Sequence, residues 1–315
     1  MNFILPFPLK RFAEQVNINQ AIMLIGSCFA EEIGIKLNER KFNTQINPHG
    51  ILYNPISAFK AVTDYIENKN YTKKDVFLHD ELWQSFNHHG KFADVDDTIC
   101  LKKINHKINE AHNQLKNAKW LVLTFGSAFA YTHNDNVVAN CHKLPASQFK
   151  KVLLYKEEIV QAWQKQIVAL KKFNPHLTIL FTVSPVRHVR DGVIENNRSK
   201  GILLDAVHTL IEKNTNCFYF PAYEIVIDEL RDYRFFKEDL VHPNSLAINY
   251  VWQKFVDVAC DEETKNFIAD YEPIMKSLQH RDLQGDTGAS LKFKKALEEK
   301  QIAFRQKYSF AKNFI

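Results

Sequence analysis

Two potential nucleophiles stand side by side in the stretch IMLIGSCFAEEIG, residues 22–34. An apolar run leads into Gly26, Ser27 and Cys28, and acidic residues follow, as they do in the first turn of a helix. A strand-to-helix turn suits a nucleophile, because it exposes the side chain and directs backbone N–H groups towards a developing oxyanion. Ser27 has this setting, and a Cys28 thiolate at the same helix N-terminus would also be reactive.

Partners for such a nucleophile occur far along the chain, in EDLVHPN (238–244). A serine hydroxyl needs a base within hydrogen-bond reach, and a third group must orient that base. Asp239 and His242 lie three residues apart, so on a turn both side chains can point to one side and place carboxylate and imidazole in series. Taken alone, each motif is also typical of a plain turn or a helix cap. Together they predict Ser27, His242 and Asp239 as nucleophile, base and orienting acid.

The elements that must position these residues alternate between strands and helices. Amphipathic segments at 148–172 and 199–213 carry apolar residues at helical spacing. Strands that alternate with such helices indicate βαβ units, and so a doubly wound, parallel sheet in a three-layer α/β/α fold. The predicted strands are short apolar runs at 21–26, 119–126, 177–185 and 216–224.

Polar loops follow the predicted strands, at the edge where parallel α/β sheets bind their ligands. Arg187 and His188 come directly after the third strand, where a guanidinium could bind a carboxylate or a sugar oxygen. A salt bridge from Arg187 to a neighbouring loop acid is the alternative. Cys141 and His142 have the residue types of metal ligands, but no tetrahedral set can be assembled from the spacing. We therefore expect neither a metal nor an organic cofactor.

Composition limits the class of protein. No segment approaches the roughly 18 consecutive apolar residues of a membrane span. The N-terminus places its charges after a short apolar stretch, the reverse of a secretory signal, so we expect a cytoplasmic protein with no membrane partner. Five scattered cysteines indicate reduced thiols. The net charge of +5 is accounted for by residues 288–315, with seven Lys or Arg and two Glu, so we expect no nucleic-acid partner.

Several motifs together resemble one family. GSCFAEEIG resembles the motif that names the GSCFA domain family, a branch of the SGNH (GDSL-like) hydrolase clan. NPHGILYNP (47–55), LTFGSAFAYTHNDNVVANCHKLP (123–145), TVSPVRHVRDGVIENNRSK (182–200) and FPAYEIVIDELRDYRFFKEDLVHPN (220–244) are also similar to that family's pattern. The resemblance covers about residues 20–255. It implies an SGNH-type domain over residues 1–260, which leaves residues 261–315 as a helical extension.

The resemblance also implies site residues. Ser27 matches the nucleophile of the first SGNH block, and His242 and Asp239 match its last block. Backbone N–H groups of Ser27, Cys28 and Gly50 would line an oxyanion hole. The third block normally reads GxND, with the asparagine as a further donor, but residues 126–129 read GSAF. The candidates to replace that asparagine are Asn54, Asn140 and His142, and the last two join Arg187 and His188 as expected substrate-binding residues.

These features predict an enzyme that hydrolyses an ester-linked acyl group through an acyl-Ser27 intermediate. With a sugar hydroxyl in place of water as acceptor, the same site would be a carbohydrate O-acyltransferase. By analogy with the clan, the expected partner is a small-molecule or carbohydrate ester, in particular an acetylated carbohydrate. A third hypothesis is a non-catalytic carbohydrate-binding or scaffold module with a degraded oxyanion hole.

Overall fold

A parallel sheet of five strands lies at the centre of the protein, in a computed structural model that describes residue 5, residues 7–279 and residues 287–311. The strand order is β10-β9-β5-β1-β2, and every neighbouring pair is parallel. The strands of the described chain are β1 (Ala21–Gly26), β2 (Asn43–Ile46), β3 (Phe77–His79), β4 (Leu82–Gln84), β5 (Trp120–Phe125), β6 (Phe129–His133), β7 (Asn136–Val138), β8 (Lys150–Leu153), β9 (Thr178–Val183) and β10 (Cys217–Tyr219).

Helices cover both faces of this sheet. Along β1, Ile22 and Leu24 point to one face, while Met23 and Ile25 point to the other, because side chains alternate along a strand. Helices α1 and α7 pack on the first face, and α2 to α5 pack on the second. The helices are α1 (Cys28–Glu39), α2 (Pro55–Glu67), α3 (Asp97–Asn117), α4 (Lys156–Phe173), α5 (Val193–Lys213), α6 (Ala222–Glu224), α7 (Ser245–Ala259), α8 (Glu262–Gln279) and α9 (Gly288–Lys307).

This architecture confirms the predicted doubly wound, three-layer α/β/α fold. From β1 the chain adds β2 on one side, and later adds β5, β9 and β10 on the other. The strand order therefore reverses between β1 and β5, and such a reversal opens a crevice at the carboxyl ends of the two strands.

Helices α8 and α9 extend the layer that contains α1 and α7. The Phe267 ring of α8 lies 5.2 Å from Phe304 and 5.1 Å from Tyr308, between ring centroids. These rings belong to the same apolar cluster as Trp252 of α7. The helical character predicted beyond residue 260 is present in the described residues, and the domain boundary itself stays a prediction. Among the described helices, none has the length and apolarity that a membrane crossing requires.

The predicted elements differ from the observed ones mainly at their ends. The helix predicted from residue 148 begins at Lys156, because residues 150–153 form β8 instead. The helix predicted from residue 199 begins six residues earlier, at Val193. A small antiparallel sheet of order β7-β6-β8 was not predicted. It is built from the segment that follows β5, and it forms one wall beside the crevice.

Candidate active site

A cavity of about 380 Å³ opens in the crevice between β1 and β5. Its wall includes Cys28 from the start of α1, Ser127 from the connection between β5 and β6, and His242 from the loop before α7. Apolar side chains of the small antiparallel sheet, among them Phe129 and Val138, complete it. The cavity thus lies where a doubly wound sheet is expected to bind its ligand.

Close backbone contact fixes the turn between β1 and α1. Gly26 has a φ of +144°, and a Cβ at this position would lie 2.1 Å from the carbonyl oxygen of Thr124 in β5. Only glycine fits such an approach without displacing the strand. The Gly26 N–H donates to Asn47 Oδ1 at 2.9 Å, and the Ser27 N–H donates to Thr124 O at 3.1 Å. The sheet itself therefore sets the direction in which α1 leaves β1.

The two potential nucleophiles occupy different places in this turn. Ser27 is 1% exposed and caps α1, since its Oγ accepts from the Phe29 N–H at 3.3 Å. Cys28 is half-buried and lines the cavity, whereas Ser27 is not part of the cavity wall. Within the described ranges, Ser27 and His242 share no hydrogen bond. The structure therefore brings Cys28, and not the Ser27 hydroxyl, to the cavity that His242 lines.

Burial controls the ionisation of Cys28. Desolvation raises the pKa of the thiol, and the nearby carboxylates of Glu31 and Glu32 add to the increase. Hydrogen bonds from the backbone N–H groups of Cys28 and Phe29 to the sulfur lower the pKa and oppose this effect. A thiolate at this position is scarce without a base or a cation to support it.

Asp239 and His242 form the predicted acid–imidazole pair. His242 Nδ1 lies 2.7 Å from Asp239 Oδ2, and Asp239 Oδ1 accepts from the backbone N–H groups of Val241 and His242 at 2.9 and 3.0 Å. These backbone bonds, with the imidazole bond, lower the pKa of Asp239 to about 2. The carboxylate therefore stays ionised and orients the ring. In the described part of the chain the ring makes no other hydrogen bond, so Nε2 is available for proton transfer.

Arg187 holds the loop that carries this pair. Its Nη1 donates to Leu240 O at 3.1 Å, and its backbone N–H donates to Val241 O at 3.2 Å. The guanidinium also lies over the Phe236 ring, 4.2 Å from the centroid. Leu240 has a φ of +57°, a conformation that this residue type rarely adopts, so the loop needs such support. Arg187 also lines the cavity, as the sequence predicted for a substrate-binding residue.

The predicted oxyanion donors do not all reach the cavity. The Gly50 N–H donates to Asn47 O at 2.8 Å, and Gly50 is not part of the cavity wall. Asn54 is part of the wall: its Oδ1 caps α2 by accepting from Ser57 N at 2.8 Å, and its Nδ2 donates one N–H to Ser57 Oγ at 3.0 Å. The second N–H of Nδ2 remains for a ligand. Of the residues predicted to supply oxyanion donors, Cys28 and Asn54 are the two that line the cavity.

The remaining predicted residues are His188, Asn140 and His142, and the first of these lines the cavity. His188 lines the cavity, and its backbone N–H donates to Asn196 Oδ1 at 2.8 Å. Burial lowers the pKa of the His188 imidazole. Asn140 and His142 are not part of the cavity wall: Asn140 Oδ1 accepts from the His142 N–H at 2.9 Å, and His142 Nε2 lies 2.7 Å from Ser85 O. In the ranges that the structure describes, no group of three or more His, Cys, Asp or Glu side chains is placed to hold a metal ion.

The sequence interpretation missed one buried charge-bearing group, Lys200 on α5. Its side chain is 1% exposed, and its Nζ donates to Gly126 O and to Ser184 O, both at 2.6 Å. The signal was present in the helical pattern, since Lys200 precedes Leu203, Val207 and Leu210 at spacings of one apolar face. A lysine on the buried face of a helix is unusual, because a charge is costly to bury without a partner.

Comparison with known proteins identifies a family for this chain. No curated protein matches the sequence. The model of the GSCFA family matches residues 21–255. This range holds β1 to β10, both helical layers as far as α7 and all the cavity residues described above. Since the match spans well over half of the sequence, the chain belongs to the GSCFA family.

Proposed function

We propose that this protein hydrolyses or transfers an ester-linked acyl group through a covalent intermediate on Cys28. The observation that carries the proposal is the placement of Cys28 and His242 on the wall of one cavity, at the reversal of the strand order, with Asp239 bonded to the His242 imidazole. A nucleophile, a base and a group that orients the base are the parts that acyl transfer requires.

The reaction uses each of these groups in turn. His242, oriented by Asp239, takes the thiol proton, and the Cys28 sulfur bonds to the acyl carbon. The second N–H of Asn54 Nδ2 and the Cys28 N–H stabilise the oxyanion of the tetrahedral intermediate. As the bond from the acyl carbon to the alcohol oxygen breaks, the imidazolium returns its proton to the leaving alcohol. Water or a sugar hydroxyl then attacks the thioester, with His242 again as base, and the thiol is restored.

The cavity favours a short acyl group. Its walls are largely apolar, with Val186 and Val241 among the lining residues, and its volume of about 380 Å³ lies at the lower end of the range for small-molecule sites. Among the described residues that line it, none carries a carboxylate, while Arg187 supplies a cation. These features support esters of short acids with polar alcohols as substrates, and acetylated carbohydrate is the substrate class that we propose.

The choice between the two nucleophiles rests on their positions. Ser27 is 1% exposed, is not part of the cavity wall and already serves as the helix cap, a role that Ser fills in many helices. Cys28 is half-buried and faces the cavity. An acyl-Ser27 intermediate stays a prediction of the sequence. The Ser27 mechanism and the Cys28 mechanism use the same cavity and the same base, His242.

A single-turnover experiment distinguishes the Cys28 mechanism from the Ser27 mechanism. The protein is incubated with p-nitrophenyl acetate, release of p-nitrophenol is followed, and the acetylated peptide is located by mass spectrometry. We expect an acetyl thioester on Cys28 that hydroxylamine removes, loss of the adduct in Cys28→Ala, and retention of the adduct in Ser27→Ala. Cys141→Ala is the matched control, because Cys141 is the other thiol on the cavity wall.

Each other outcome contradicts part of the proposal. An adduct that Ser27→Ala abolishes and Cys28→Ala keeps assigns the nucleophile to Ser27 and leaves acyl transfer in place. An adduct that survives His242→Ala with an unchanged rate removes His242 from the mechanism. A wild-type protein that acquires no acetyl group and releases no p-nitrophenol, while still folded, refutes the enzymatic proposal.

A further inference from the structure

Two buried imidazole rings lie face to face between two loops of the protein. The ring centroids of His49 and His88 are 4.1 Å apart, and the ring planes differ by 15°. Both residues are 1% exposed. His49 lies in the segment after β2, and His88 lies in the segment after β4. The His89 N–H donates to His49 O at 2.9 Å, and a Cβ on Gly50 would lie 2.2 Å from His89 Cβ, so the two segments are in close contact. We call His49 and His88 the imidazole stack.

The first ring of the stack, His49, has a partner at each nitrogen. Nδ1 lies 2.6 Å from Tyr65 Oη, and Nε2 lies 3.2 Å from Asp64 Oδ2. The carboxylate oxygen of Asp64 can only accept, so Nε2 carries the hydrogen and Nδ1 accepts from the Tyr65 hydroxyl. Asp64 Oδ2 also accepts from Tyr71 Oη at 2.7 Å. Burial lowers the pKa of His49, although Asp64 opposes this effect. His49 is therefore satisfied as a neutral imidazole.

The second ring of the stack, His88, has a partner at only one nitrogen. Nδ1 lies 3.0 Å from Ser85 Oγ. Nε2 is buried, and among the described residues it has no hydrogen-bond partner. The rings of Tyr71 and Phe92 also face His88, with centroids 4.8 and 5.3 Å away. An imidazolium donates from both nitrogens, so a second proton on His88 would leave a buried, charged N–H without an acceptor.

The charges around the stack also disfavour a second proton on His88. The titratable groups near the stack are Asp64 and Tyr65 of α2, Lys69, Tyr71 and Asp75 of the segment after α2, Cys100 of α3, and His142 of the segment after β7. Asp64 bonds to His49, and the Lys69 ammonium lies 3.6 Å from Asp75. Burial of the ring, together with His49, Lys69 and His142, lowers the pKa of His88 well below its usual range.

The loop of the second ring also holds part of the cavity wall. Phe86 O accepts from the Ala139 N–H at 2.8 Å, and Ser85 O lies 2.7 Å from His142 Nε2. Ala139 lines the candidate active site. Residues 85–92 are therefore hydrogen-bonded to a segment of the cavity wall and also packed, through the second ring, against the first ring of the stack.

We propose that the imidazole stack is an acid-sensitive switch: a proton on His88 separates residues 85–92 from His49 and releases residues 139–142 of the cavity wall. The proton comes from the solvent, and the ring that accepts it moves into water, where both of its N–H groups find acceptors. One N–H bond forms, and otherwise only hydrogen bonds change. The inference goes beyond the proposed function, because it concerns the shape of the cavity and neither the nucleophile nor the substrate.

The direction of the pH dependence follows from the two states of His88. In the closed state burial keeps the ring neutral, whereas in the open state the ring has the ordinary histidine pKa of about 6.5. Above this pH neither state binds the extra proton, and the closed state keeps its full stability. Below this pH the open state binds one proton more than the closed state. The equilibrium then shifts towards opening by about tenfold for each pH unit.

Hydrogen–deuterium exchange followed by mass spectrometry tests this switch on the full chain. Exchange of peptides from residues 85–92 and 139–142 is measured from about pH 7.5 to about pH 5.5, and each rate is divided by the intrinsic rate of an unprotected amide at that pH. We expect the protection of both peptides to fall about tenfold between about pH 6.5 and about pH 5.5. Peptides of β5, in the central sheet, should keep their protection.

Two substitutions of His88 remove the titration in different ways. In His88→Phe an aromatic ring remains against His49, and in His88→Gln an amide remains that can donate to Ser85 Oγ. In either variant that folds, the protection of the two peptides should no longer depend on pH. His106→Gln is the matched control, because His106 is an exposed histidine of α3, and it should retain the wild-type dependence.

Three results contradict the switch. If the protection of the two wild-type peptides does not change with pH, no switch is present, whether or not the variants fold. If folded His88→Phe keeps the wild-type dependence, another group titrates, and loss of the dependence in His142→Gln alone would assign it to His142. If the β5 peptides lose protection together with the two loops, the acid response is global unfolding. The acetylation experiment requires no change of pH, so the switch and the proposed function can each fail alone.

Discussion

The two halves of the candidate site are built in contrasting ways. The turn from β1 into α1 is buried, and its backbone is fixed by Asn47 and by Thr124 of the neighbouring strand. The loop with Asp239 and His242 is exposed, with 47% and 42% of the two side chains open to solvent. Its order comes from bonds within the loop and from Arg187.

This contrast predicts different consequences of mutation. Changes in the buried turn disturb the register of β1 and β5, so they should appear as lost stability. Changes in the exposed loop remove few apolar contacts, so they should alter rate and leave stability almost unchanged. A change in either half that produced the opposite effect would show that the two halves are not independent.

The largest effect is expected in the exposed loop, for Asp239→Asn. The Asn side-chain oxygen can still accept from the two backbone N–H groups, but the charge is lost and the imidazole is no longer held in its reactive tautomer. We expect the acetylation rate of Cys28 to fall about 10³-fold. Asp239 keeps its charge down to a pKa of about 2, so this loss should be the same across the whole neutral range.

The matched control for this change is Asp232→Asn. Asp232 Oδ1 also accepts from a backbone N–H, that of Arg234 at 2.8 Å, but Asp232 does not line the cavity. We expect this variant to acetylate at the wild-type rate and both variants to melt at the wild-type temperature. Equal loss of rate in the two variants would mean that general disorder of the loop, and not the imidazole partner, explains the effect.

The second-largest effect is expected in the buried turn, for Gly26→Ala. The added Cβ would meet Thr124 O at 2.1 Å, and alanine is also strained at a φ of +144°. Overpacking and backbone strain together should lower the free energy of unfolding by about 3 kcal/mol, measured by urea denaturation. Gly192→Ala is the control, since Gly192 has a φ of +86° with open space around its Cβ position. It should lose only the strain contribution, about 1 kcal/mol.

The same contrast shows what the sequence could predict. β1 was predicted with its observed bounds, and β5, β9 and most of α4 and α5 were found, because apolar runs and amphipathic periods are local properties. The Asp239–His242 pair was also predictable, since both residues and their turn lie within four positions. The sheet of β6, β7 and β8 was missed because its strands are short and half polar, and only their mutual pairing defines them.

The roles within the buried turn depended on information that no local pattern contains. Both Ser27 and Cys28 follow Gly26, and only the direction in which α1 leaves the sheet decides which side chain reaches the cavity. Gly50 is the glycine that the family pattern suggested for the oxyanion hole, yet its N–H donates to the backbone carbonyl oxygen of Asn47. The interaction of Lys200 with two strand ends connects residues from three elements and follows from the topology alone.

The smallest effect is expected for Arg187→Lys, which sharpens the contrast within the loop. Lysine keeps the positive charge on the cavity wall but loses the planar group that lies over Phe236 and donates to Leu240 O. If Arg187 chiefly supports the loop, kcat for acetyl transfer should fall about tenfold while KM stays the same, because one cation–π contact and one hydrogen bond are weakened. If Arg187 instead binds the substrate, KM should rise and kcat should persist. Arg190 is an exposed neighbour, so Arg190→Lys should change neither kcat nor KM. A tenfold loss of kcat in that variant would show that the loop tolerates no change of its basic residues.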